Sequence, residues 1–152
     1  MTHGRRLLAL LALPLALLPT CAAPRQSGLG ELMTLTQMRH AKLWYAGEAH
    51  NWPLAAYELD ELREGFDDVV AFHGEQPGLP LPPAGLVPVM MEPPLASLRA
   101  AIDQQDPAAF EQSFDALTAG CNNCHQASDH GFNVVRRPQP GWFGNQDFTP
   151  AR

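Results

Sequence analysis

A chain of 152 residues with 45% hydrophobic residues has room for one domain with its own core, not for several. Fifteen prolines beside 8% aromatics point to helices punctuated by breakers and away from a strand-rich sandwich. A formal net charge of -6 argues against nucleic acid as a partner, and three cysteines, an odd count, cannot build a disulfide framework.

Residues 1–23 have the anatomy of a secretory signal: a short basic start from Met1 to Arg6, an apolar run from Leu7 to Leu18, then the small residues of Thr20-Cys21-Ala22-Ala23. The run is too short for a mature membrane anchor and is broken by Pro14. Cleavage is expected after Ala22 or Ala23, and loss of Arg5 and Arg6 makes the mature chain more acidic. Cys21 carries a second reading, as the lipid-bearing first residue of a bacterial lipoprotein; Leu18-Pro19-Thr20-Cys21 fits that signal loosely. Membrane attachment is expected only under that reading.

After a linker at 24–28, a helix is expected from Leu29 to Ala49. At 100° per residue, Leu32, Met33, His40, Leu43, Trp44 and Gly47 share one arc, while Met38 falls on the far side near Ala41 and Tyr45. Asn51 before Trp52-Pro53 has the form of a helix cap, and the next helix carries Ala55, Leu59, Leu62, Phe66, Val69 and His73 on one stripe with Glu58, Asp60 and Glu61 on other faces. Gly74 to Pro94 reads as a long crossover loop with at most a helical turn at Leu86 to Met91. Pro94 opens a third helix, with Leu95, Leu98 and Ile102 inward, ending near Gln105. Asp106-Pro107 repeats the cap-then-proline pattern, and the fourth helix puts Phe110, Phe114, Leu117, Cys121 and Cys124 on one stripe. The domain thus spans 29–128. Residues 129–152 form an irregular tail with the aromatics Phe132, Trp142, Phe143 and Phe148, and the tail is expected to pack back on the domain.

Cys121-Asn122-Asn123-Cys124-His125 is the C-x-x-C-H pattern of a covalently attached c-type haem. Two thiols at this spacing can each add across a porphyrin vinyl group, and the adjacent imidazole of His125 then reaches the iron as proximal ligand. A zinc site would need a second ligand pair, and the remaining cysteine, Cys21, lies at the signal boundary. A thioredoxin-type dithiol needs an α/β setting that amphipathic helices do not supply. Attachment of haem c in bacteria takes place outside the inner membrane, so one covalent haem and a periplasmic location are expected together.

A C-x-x-C-H at the end of the last of four helices resembles the cytochrome c-prime superfamily, whose members are antiparallel four-helix bundles with haem between the helices. The resemblance covers about Leu29 to Ser128 and is specific at Cys121, Cys124 and His125. The segments Arg39-His40-Ala41-Lys42-Leu43-Trp44 and Tyr57-Glu58-Leu59 with Glu61-Leu62 also resemble a group of bacterial cytochromes of this type. This chain departs from the family in its proline-rich connection and in the tail after His125. Dimerisation through the first two helices is common in the family, which makes a homodimer a candidate assembly.

In an up-down-up-down bundle the end of the last helix lies beside the first half of helix one, so the sixth iron ligand is sought there. His40 on the core arc is the candidate; Met38 is the alternative by family analogy; Met33 reads as packing. Arg39, Arg136 and Arg137 are candidate contacts for the haem propionates. With two strong ligands the chain would pass single electrons to and from an unidentified redox partner protein. With an open sixth position it would bind NO or CO. No acid/base pair is in register with such a pocket, so catalysis is not expected.

Overall fold

The computed structural model describes residues 26–141 and 143–150. The expected signal at 1–23 with Cys21, the first two residues of the linker, and Trp142 of the tail lie outside the described residues. All regular structure among the described residues is helical: α1 (Leu29–Glu48), α2 (Trp52–His73), α3 (Pro83–Met90), α4 (Glu92–Asp103) and α5 (Pro107–Ala127). No described helix is long and apolar enough to cross a membrane.

Three helix ends are built alike. At the close of α1, α4 and α5 the chain turns through a left-handed residue, His50, Gln105 and Asp129, with φ of 53°, 54° and 60°. In each case two backbone N–H groups fold back onto carbonyls of the last turn. Asn51 N–H reaches Ala46 O, Asp106 N–H reaches Ala101 O, and His130 N–H reaches His125 O, at 2.9, 3.0 and 2.7 Å. This is the Schellman arrangement, and it satisfies carbonyls that a helix end otherwise leaves unpaired. Asn51 and Asp106 then serve twice, because their side chains accept N–H groups of the next helix: Asn51 from Leu54, Asp106 from Ala108 and Ala109. Each residue closes one helix and opens another. This is why α1–α2 and α4–α5 are joined with no slack.

Helices α1, α2, α4 and α5 are the four expected from the sequence, and α3 is a correction to it. The expected crossover loop at Gly74 to Pro94 contains an eight-residue helix. Its proline density misled because Pro83 sits in the first turn, where no N–H is needed, and Pro88 lies on the exposed side. The break after it follows from the same chemistry. Pro93 and Pro94 have no N–H to offer the carbonyls of Val89 and Met90, so the helix stops and α4 starts anew at Glu92, two residues before the expected Pro94. The bared Met90 carbonyl faces α5 at Gly120: a Cβ there would meet it at 2.7 Å and the Met91 side chain at 2.6 Å.

The core gathers Leu43, Leu59, Leu62, Leu95, Leu98, Phe110, Phe114 and Leu117, all essentially without solvent contact. Gly47 lets α1 approach α5, since a Cβ there would run into the Phe110 ring. On α2 the expected stripe is buried except for His73, which is half-buried and bonded to Ser27 O and Gln76 Oε1, each at 2.9 Å. Glu58, expected on an outer face, is only 3% exposed. Burial pushes its carboxyl pKa up, opposed by Lys42 across the α1–α2 interface at 3.8 Å. The far side of α1 is not open to solvent as the wheel implied. Ala41 is buried, and Tyr45 packs against Phe143 and Phe148 of the tail with ring centroids 6.2 and 5.3 Å away.

Candidate haem-attachment site

The last two turns of α5 carry Cys121, Cys124 and His125 in one continuous helix. Both cysteines are free thiols and half-buried. Burial, with Cys124 close by, pushes the Cys121 thiol up to about 12, and burial also raises Cys124. Redox dithiols show the opposite, thiols acidified by a helix N-terminus or a neighbouring cation. Here the pair stands at the negative end of the α5 dipole. Nor does a third His, Cys, Asp or Glu converge with the pair, since no group of three or more such residues able to hold a metal ion exists among the described residues. Two thiols one turn apart with an imidazole beside the second are the residues that covalent haem attachment would use.

His125 is oriented for this. Its Nδ1 lies 2.6 Å from the carbonyl of Asn133 in the tail. A carbonyl can only accept, so Nδ1 is the donor, and in the neutral imidazole the lone pair is then on Nε2. That is the tautomer an iron ligand needs, and a carbonyl on the other ring nitrogen, as metal-binding histidines ordinarily have, holds the ring in place.

The tail reaches this position because the turn at Asp129 sends the chain back along α5. Asn122 holds Val135 through both halves of its amide, donating from Nδ2 to Val135 O at 2.9 Å and accepting Val135 N–H at Oδ1 at 2.8 Å. Farther along, Arg137 pairs with Asp115 at 2.6 and 2.7 Å and with Glu111 at 3.3 Å, and its guanidinium lies 4.5 Å from the Trp44 ring centre. Tyr45 then donates to Gln139 O, and Asn51 to the carbonyls of Phe148 and Thr149 at 3.1 and 3.0 Å. The tail is thus a strap from the end of α5 to the α1–α2 junction. Sequence reasoning anticipated that it packs back, as Phe143 and Phe148 do on Tyr45 while Phe132 stays exposed, and missed that Asn122 and Asn133 make it part of the site. An amide inside the motif and a backbone carbonyl outside it leave no periodic signal.

The candidate sixth ligands separate. His40 is 3% exposed and packs against α5: its Nε2 is 2.9 Å from Thr118 Oγ1, and its ring centre is 4.4 Å from that of Phe114. Thr118 spends its proton on Phe114 O at 2.9 Å, so its oxygen accepts from His40 Nε2–H. Thr118 shares an α5 face with Cys121 and His125. Met33 and Met38 are half-buried on α1. A cavity of about 190 Å³ between α1 and the strap is lined by His40, Gln37, Val135 and Arg136. A more open one of about 470 Å³ lies over Met90, Pro93, Gly120 and Asn123, and neither has Cys121, Cys124 or His125 in its wall. Of the arginines expected to meet propionates, Arg39 is paired with Glu61 at 3.1 Å and Arg137 with Asp115, so either would have to give up a carboxylate; Arg136 is exposed.

Burial holds the His40 imidazole down at about 4, against an ordinary value of 6.5. The unfolded chain takes up a proton between those values that the folded chain refuses, so the contribution is full above pH 6.5 and is lost as pH falls toward 4. In the haem-free chain this is worth about 3 kcal/mol. Urea unfolding of wild type and His40→Phe at pH 7, 5.5 and 4 should show the wild type losing that much more stability than the variant; parallel pH profiles would sink the assignment.

No protein-family model matches the chain, and no curated protein or solved structure is significantly similar to it.

Proposed function

We propose that the protein is a periplasmic monohaem c-type cytochrome of the cytochrome c-prime kind, an antiparallel four-helix bundle that passes single electrons between partner proteins. The observation that carries this reading is the Asn133 carbonyl on His125 Nδ1, which leaves Nε2 for a metal in the residue that follows two free thiols at attachment spacing. In attachment each thiol would add across a vinyl C=C, forming a C–S bond while the thiol hydrogen passes to the neighbouring carbon; nothing is lost, and no oxidant is required. Cys121 and Cys124 would hold the haem and His125 would ligate its iron, and the bound haem would supply one-electron redox chemistry. Antiparallel packing is supported by the order of the contacts. Arg39–Glu61 and Lys42–Glu58 run oppositely along α1 and α2, Arg63–Glu92 and Asp60–Arg99 along α2 and α4, and His40–Thr118 and Trp44–Phe110 along α1 and α5.

For the sixth position we favour His40, the candidate that packs on the motif-bearing face of α5, with Nε2 exchanging Thr118 for iron. A second reading, an open position that binds NO or CO, draws on the same contact, because Nε2 is engaged by Thr118 here. Expression with a c-type maturation system separates them. Electron transfer predicts haem that stays on the denatured chain and low-spin optical and EPR spectra in both oxidation states. A high-spin ferrous spectrum that changes with CO overturns electron transfer in favour of gas binding, and absence of covalent haem overturns both.

A further inference from the structure

The geometry points to Asn122 as a positioning residue that, through the strap, sets the electron donation of His125 and hence the reduction potential. This rests on the haem reading of His125. On α5, Asn122 and His125 stand one turn apart on one face, roughly 4.5 Å along the axis. On the strap, Val135 and Asn133 are two residues apart and meet the helix from one side, roughly 6.6 Å apart if extended. The two spacings differ by roughly 2 Å, which the side chains bridging helix and strap can take up. A grip at one pair therefore fixes the other: Asn122 holds both the N–H and the C=O of Val135, and this presents the Asn133 carbonyl to His125 at 2.6 Å.

The near end is closed independently. The turn at Asp129 is held by His130 N–H on His125 O, and Asn133 N–H bonds His130 O at 2.8 Å. The segment 130–135 is thus pinned at both ends, by the α5 cap and by Asn122. Of the two free positions inside the attachment motif, Asn122 is half-buried and bonded to the strap, whereas Asn123 is exposed. A carbonyl on the distal imidazole nitrogen makes the ring a stronger donor, which favours ferric over ferrous iron and lowers the potential. Releasing Asn122 lets the strap shift and weakens that hydrogen bond.

The test is a redox titration of the haem-loaded protein with two variants. Asn122→Leu keeps the branched shape of the side chain and removes both bonds to Val135. Val135→Pro removes the N–H donor from the strap side and leaves the motif intact, so it reports even if Asn122→Leu impairs attachment. Each should raise the midpoint potential, by about tenfold in the oxidised–reduced equilibrium or about 59 mV for Asn122→Leu, and each should lower the iron–histidine stretching frequency in a His40→Ala background. Tyr45→Phe, which loosens the far end of the strap at Gln139, should leave the potential unchanged. Haem-loaded variants with wild-type potentials overturn the inference, and a loss of stability without a potential shift assigns Asn122 a structural role alone. If the wild type carries no covalent haem, the underlying functional reading has failed instead.

Discussion

His40→Ala is expected to convert a low-spin haem protein into a high-spin one that binds CO. His40 is the α1 candidate whose ring lies on α5, over the residue one turn before Cys121. The change removes a buried imidazole and nothing else that could ligate, since Thr118 and Phe114 have no donor for ferrous iron. If His40 ligates, spectra should change in both oxidation states while covalent attachment through Cys121 and Cys124 persists. An unchanged low-spin spectrum would remove His40 and leave Met38. Ligation also has a signature in stability. A histidine bound to iron takes up no proton while the unfolded chain still does below pH 6.5, so the acid-dependent loss should persist in the loaded protein and continue below pH 4, where the haem-free chain levels off.

Phe114→Ala should be the most destabilising single truncation near the site, by about 3–5 kcal/mol. Phe114 has no solvent contact and packs against His40, Trp44 and Phe110, with ring centres 4.4, 4.9 and 6.0 Å away. Its loss opens a cavity where α1 meets α5, and neighbouring rings cannot close it without leaving their own packing. Urea unfolding measures the loss directly. The comparison is Phe72→Ala, at a position 53% exposed, which should shift stability by no more than about 0.5 kcal/mol. Equal effects would mean that the α1–α5 junction carries no special share of the core.

Chemistry that repeats along the chain was legible in the sequence. Asn51 and Asp106 before prolines mark helix starts because a side-chain acceptor and a missing N–H suit the first turn, and α1, α2 and α5 follow within a residue or two. Helix α3 was not legible, because proline is read as a breaker unless one knows that Pro83 lies in a first turn and Pro88 on an exposed side. Burial of Glu58 was hidden too, since its partner Lys42 belongs to another helix. In the candidate site, spacing alone picked out Cys121, Cys124 and His125. The strap escaped because it is held by an asparagine amide and by carbonyls, which every sequence possesses.

The shared caps at Asn51 and Asp106 also have a mechanical meaning. A residue that ends one helix and starts the next leaves no joint between them, so α1–α2 and α4–α5 behave as two stiff levers. The slack lies between α2 and α3, at Gly74 to Pro82, where Gly78 has a φ of 86° that glycine adopts without strain. Under the proposed haem reading, parting α1 from α5 would move these pairs as units about that connection, with the strap joining the two across the gap.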